Sequence, residues 1–311
     1  MKTPVLASLS PFARILFVVI LVIVCVTVFL VAGMLLAGPL FHAGLLQQLD
    51  MLTEYDNPDA VKLMKYFQVI QSVGLFIVPP LVAAFLFDRN VPGFLGLDRG
   101  ASFRLYLLVL VILFVSLPFL NWTASLNEAL RLPSFLHGIE QWMVDTEKEA
   151  AKLTDAFLVM NTWGSFAFGM LLIAVLPAIG EELFFRGMIQ RLLGDWLRNI
   201  HVAIVLASFV FALFHLQFYG FLPRFVLGLI LGYLYFWSGS LWLPVFAHFI
   251  NNGSAVLLSF LAGRGFISVK VEEFGTSDSV ILIIGSAVLT GLLVWMAWFM
   301  ARKTAAKIPD E

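Results

Sequence analysis

A chain of 311 residues with 61% hydrophobic and 13% charged side chains and a mean hydropathy of +0.96 has too little polar surface for a soluble globular fold. Its net charge of −1 gives no basic footprint for nucleic acid, and its one cysteine, Cys25, excludes an internal disulfide framework. What remains is an all-α, polytopic membrane helix bundle.

In chain order, the first apolar run, residues 12–37, is too long for the core of a signal peptide and lacks a small-residue cleavage site, so it reads as a retained first span. Cys25 lies inside it as a packing or lipid-facing residue. Further runs of about 20 residues, the length needed to cross a bilayer, recur near 67–87, 103–121, 157–194, 201–218, 221–237, 241–262 and 279–301. About eight transmembrane spans are therefore expected. They divide into N-terminal spans and polar loops at 1–156, a core at 157–262, and a last span with a cytoplasmic tail at 263–311, all within one membrane domain. The fourth run is too long for a simple crossing, and Pro177 with Gly180 predicts a kink in it.

Two connections are long and polar, 38–66 and 122–156. In the second, Leu136, Ile139, Trp142 and Met143 fall at helical spacing opposite acids and lysines, which predicts an amphipathic helix on the membrane surface. The charge runs in both connections read as solvated faces. Lys2, Arg14, Arg89, Arg99, Arg104, Arg186, Arg191, Arg198, Arg302, Lys303 and Lys307 would lie on one side in short segments. Lys62, Lys65, Arg131, Lys148, Lys152, Arg224, Arg264 and Lys270 would lie on the other in longer ones, and this density places both termini in the cytoplasm.

The stretch from Pro177 to Gly187 sets two adjacent carboxylates inside an apolar helical pattern, where charge is expensive and marks a site by default. Glu182 and Arg186 are four apart, acid first, the favourable order for a same-face ion pair. Glu181 has Phe184 and Phe185 at those distances instead of a base, which leaves it the free carboxylate and suits it to general-base work. The competing reading is that both acids merely hold Arg186 at a membrane boundary.

The turn after the fourth run centres on Arg198, with Glu181 and His215 each 17 residues from it, so antiparallel helices would bring them to one depth. A lone histidine in an apolar span is more often a hydrogen-bonded packing residue; its place opposite Glu181 favours a site. His248 and Asn252 share a helix face four residues apart and could serve either as a polar pair at one spot or as glue between helices. If Ser238 to Ser240 formed a surface turn, His248 would lie roughly 10 Å shallower than His215, so that hairpin has to be sunk for the two to meet. No serine or cysteine stands beside a base. The economical chemistry is water activation by Glu181 with His215, and an oxyanion held by His248 and Asn252. Glu181, His215 and His248 could instead bind zinc with a position open for water.

These residues carry a resemblance. The sequence Glu181-Glu182-Leu-Phe-Phe-Arg186-Gly187, then Phe211 four before His215, then Gly228, Gly232, Gly239, Pro244 and His248 four before Asn252, is similar to the ordered motifs of the CPBP (Abi) family. That family groups type II CAAX prenyl endopeptidases with bacteriocin-processing and immunity proteins. The likeness covers 165–262, and no motif position departs from it. It implies an intramembrane glutamate-type endopeptidase with Glu181, His215, His248 and Asn252 catalytic and Glu182 and Arg186 in support, needing no cofactor. Its substrate would be a peptide or membrane-protein tail, lipidated or plain, in a bacterial inner membrane. A non-proteolytic immunity or partner protein of the same fold is the alternative from another class. A transporter with the cluster as proton relay fits less well, since the sixth and seventh spans are joined too tightly for paired broken helices.

Overall fold

A computed structural model describes residues 4–268 and 274–305. Lys2, Lys270, Lys307 and the side chain of Lys303, used in the charge tally above, lie outside the description, as do 306–311 of the expected tail. Among the described residues the chain is helical, with no strand. We label α1 Pro11–Phe41, α2 Pro58–Phe87, α3 Phe103–Val115, α4 Leu117–Ala129, α5 His137–Leu158, α6 Trp163–Leu197, α7 Ile200–Phe214, α8 Phe221–Ser238, α9 Trp242–Gly263 and α10 Val280–Ala305. Six of these are long and apolar enough to cross a membrane, or seven if α3 and α4, bent by 45°, form one span. The expected fifth span is the shorter apolar helix α7, which ends at Phe214 and makes His215 its C-cap. The protein is an integral membrane helix bundle.

Local chemistry sets the ends. Ser10 accepts from the Ala13 N–H to start α1, and Asn57 accepts from those of Asp59 and Ala60 to start α2. At the α3–α4 bend Pro118 cannot donate, and the freed groups find Ser286 of α10. Its hydroxyl donates to the Val115 carbonyl at 2.6 Å and accepts from the Phe119 N–H at 3.2 Å. The surface helix expected in 122–156 is α5, with Ile139 and Trp142 about half exposed on its apolar side.

The kink expected at Pro177 takes another form. A π turn over Met170–Val175, closed by Leu176 N–H to the Leu171 carbonyl, widens α6 just ahead of the proline, so the ring is accommodated and α6 runs on for 35 residues. The same device, Ser72–Ile77, precedes Pro79 and Pro80 in α2. Gly180 does not bend the helix; it lets α6 approach α2, since a Cβ there would sit 3.0 Å from the Phe76 Cβ.

The turn after α8 is covered by another part of the chain. Ser240 and Leu241 are fully buried beneath residues 94–99, whose backbone carbonyls are bonded one after another. Leu95 O accepts from the Tyr235 hydroxyl at 3.4 Å, Gly96 O from the Leu241 N–H at 2.8 Å, Leu97 O from the Trp242 indole at 2.9 Å and Arg99 O from the Ser240 hydroxyl at 2.6 Å. Gly96 and Gly239, at φ +72° and +64°, face each other so closely that a Cβ on Gly96 would meet the Gly239 carbonyl at 2.9 Å.

Helices α7 and α8 pack tightly through small residues. A Cβ on Gly228 would lie 3.0 Å from the Ser208 Cβ and 3.2 Å from its Cα, and one on Gly232 would lie 2.8 Å from the Ile204 side chain. Because backbone cannot yield as a side-chain tip does, Gly228→Ala is expected to cost about 1–3 kcal/mol and lower the thermal unfolding midpoint in detergent. Gly291→Ala in α10, where nothing lies within 4 Å, is the control and should leave the midpoint unchanged or raise it.

Candidate active site

The acidic pair of α6 meets α7, α8 and α9 at one place. Glu182 is fully buried and Arg186 nearly so, at 0% and 1% exposure. Arg186 Nη1 donates to Glu182 Oε1 at 2.8 Å, so the ion pair expected from the spacing is formed. Its Nη2 donates to the Gly228 carbonyl of α8 at 3.2 Å, and the guanidinium lies 4.6 Å from the centre of the Phe211 ring of α7. One turn on, Gln190 donates to the Gly232 carbonyl at 3.1 Å. The buried charge of Arg186 is tolerated here because a carboxylate, a carbonyl and an aromatic ring each meet it.

His248 enters from α9, with Nδ1 2.8 Å from the same Glu182 oxygen. A carboxylate offers only acceptors, so Nδ1 carries the hydrogen and the ring is oriented by Glu182. Its Nε2 then lies 3.9 Å from Glu181 Oε2, too far for a hydrogen bond. That Glu181 oxygen is buried with no hydrogen-bond partner, as is the second oxygen of Glu182. Glu182 is thus committed and Glu181 free, the division that the spacing predicted.

His215 and Asn252 stand differently from expectation. His215 comes to the cluster but not to Glu181, whose histidine within 4 Å is His248. The helix ends at His215, and its Nδ1 turns back to the Phe211 carbonyl at 2.9 Å, leaving Nε2 as an acceptor. Phe211 packs edge-on against both histidines, with ring centroids 5.0 Å from His215 and 5.9 Å from His248. Asn252 donates from Nδ2 to the Ile173 carbonyl at 3.1 Å, and its own oxygen accepts from Asn251 at 3.0 Å. Ile173 is four residues before Pro177, so this carbonyl is the one that proline's missing N–H would have satisfied in an α-helix. Asn252 fastens α9 onto the widened turn of α6.

Sequence reasoning missed Phe211 as the ring packed against both histidines, Gln190 as the second rung to α8, and Arg224. The last was counted only as a loop-side charge, yet its field reaches Glu181 and His215. Among the described residues no three of His, Cys, Asp and Glu are grouped so as to hold a metal ion. Glu181, His215 and His248 are therefore not gathered as a set of zinc ligands in this structure.

Residues 163–254 match the family model described as "Type II CAAX prenyl endopeptidase Rce1-like". The resemblance read from the motifs is therefore shown for that segment, which holds every site residue considered above and is similar to a protease family. An 85-residue stretch is 32% identical to the uncharacterized protein YpbD of Bacillus subtilis (strain 168), over 26% of this chain and 40% of that protein. The chain thus spans well under two thirds of the relative it matches. No solved structure matches it.

The Asn252 bond and the proline are expected to be coupled. Asn252→Ala should cost about 1–3 kcal/mol by orphaning the Ile173 carbonyl, and clearly less in a Pro177→Ala background, where a backbone N–H is restored. A double-mutant cycle of unfolding midpoints in detergent reads the difference.

Proposed function

We propose that this protein is an intramembrane endopeptidase that hydrolyses a peptide bond with water activated by Glu181, without a covalent intermediate. The observation that carries the reading is the split between the two carboxylates. Glu182 gives one oxygen to both Arg186 and His248, whereas Glu181 makes no side-chain hydrogen bond among the described residues; a buried oxygen of each, Glu182 Oε2 and Glu181 Oε2, is without a partner. Interhelical glue would not need a carboxylate left unpaired in an apolar setting.

In this reading Glu181 takes a proton from water as its oxygen attacks the scissile carbonyl carbon. His215, with Nε2 free to accept, helps hold that water. The second amide hydrogen of Asn252 serves the oxyanion, and His248, oriented by Glu182, joins it when its Nε2 also carries a hydrogen. Glu181 then passes the proton to the leaving amine nitrogen as the C–N bond breaks. Arg186 and Glu182 are positioning residues. The substrate is a peptide, lipopeptide or membrane-protein tail, with both termini of the enzyme in the cytoplasm of a bacterial cell; the charge distribution and the family resemblance support that placement.

The test is cleavage of a quenched fluorescent peptide library, prenylated and plain, by the purified protein. Glu181→Gln should lower the rate by roughly 10²–10⁴-fold, the usual share of a general base, while keeping the thermal midpoint. A strong chelator should change nothing; loss of activity on chelation would move the site to a metal. No cleavage by the intact, folded protein would turn the reading towards the immunity or partner function.

A further inference from the structure

Arg224, in the first turn of α8, is a partly buried cation in a helix apolar enough to span a membrane, and no carboxylate lies within salt-bridge distance of it among the described residues. Its terminal nitrogens bond only to the main-chain and side-chain oxygens of Gln217. Of the five guanidinium hydrogens, three are left with no acceptor among the described residues. Arg186 shows what a committed arginine looks like here, with its carboxylate, its carbonyl and its ring.

The surroundings hold Arg224 in place without neutralising it. The turn that carries Gln217 is fixed from outside by Asn127 of α4, which donates to the Phe218 carbonyl at 2.8 Å and accepts from the Leu222 N–H at 2.8 Å. Glu147 of α5, an acid whose field reaches Arg224, is bonded to the Tyr219 N–H at 3.2 Å. Gly220 leaves room for the head group, since a Cβ there would sit 2.0 Å from Arg224 Nη1. The turn begins directly after His215, so the guanidinium is on the same side of the bundle as the free carboxylate. An unpaired arginine in such a place is matched by an anionic ligand, and its planar fork fits a carboxylate in two-point fashion.

We infer that Arg224 is a substrate-binding residue that holds a carboxylate of the peptide beside Glu181, so that the protein selects chains carrying that charge. The inference rests on the peptidase reading. Two sources share this chemistry, the C-terminal carboxylate and an Asp or Glu side chain.

The experiment measures retention of peptides on immobilised full-length Glu181→Gln protein in detergent. The probes are one randomised library as C-terminal acids and as amides, each made with and without Asp and Glu. The acids are expected to be retained about tenfold more than the amides in the Asp- and Glu-free library; a preference that appears only when Asp and Glu are present assigns the bound charge to a side chain instead. Arg224→Gln should abolish the preference, and Arg224→Lys, which keeps the charge without the fork, should retain part of it, with both variants checked for an unchanged thermal midpoint. If Arg224→Gln does not fold, Arg224→Lys decides alone, and a preference undiminished from that of the arginine protein overturns the assignment. Equal or absent retention of all four libraries overturns it too, as does a preference that survives Arg224→Gln. Cleavage by the unmutated protein is scored separately, so cleavage without charge preference sinks the anchor alone, and charge preference without cleavage sinks the peptidase reading alone.

Discussion

The structure depends on one buried oxygen. Glu182 Oε1 accepts from Arg186 and from His248, and so ties α6 to itself, to α8 through the second arm of the arginine, and to α9 through the imidazole. In a bilayer there is no general hydrophobic drive between helices, so polar contacts of this kind and close backbone approach carry the association. Removing either partner would leave a charge in an apolar interior, which costs more than the pair contributes. The same oxygen fixes which nitrogen of His248 faces Glu181, so fold and site share one interaction.

Around that oxygen the helices touch where side chains are smallest. Gly228 and Gly232 bring α8 onto α7, and their carbonyls, exposed by the absence of side chains, accept from Arg186 and Gln190. Prolines play the complementary part. Each frees a carbonyl and forces a widened turn, and at Pro177 the freed carbonyl becomes the point where Asn252 fastens α9. A residue that might have broken the helix instead supplies the contact that sets the facing helix in register.

The cover over the α8–α9 turn has a similar logic. Residues 94–99 form no regular ladder of their own beyond the short helix Val91–Leu95, and their carbonyls would be costly in an apolar setting. Tyr235, Ser240, Leu241 and Trp242 satisfy four of them, and in doing so fix the turn that leads into the helix carrying His248.

The helical class, the ion pair of Glu182 with Arg186 and the freedom of Glu181 were legible in the sequence, because each follows from local spacing: apolar runs of bilayer length, or an acid and a base one helical turn apart. The surface helix α5 was legible for the same reason. The end of α7 at Phe214, the π turn before Pro177 and the partner of Asn252 were not, because each depends on which backbone group another helix is placed to satisfy. His215 illustrates the limit: counting residues from Arg198 set it opposite Glu181, but only the packed structure shows its ring turned back to the Phe211 carbonyl and packed on the ring that also meets His248. Periodicity and charge, acting within a few residues, determined what kind of helices this chain makes and which carboxylate is spare. Tertiary packing alone decided which side chains meet, since burial in an apolar medium drives polar groups to partners that lie far along the chain.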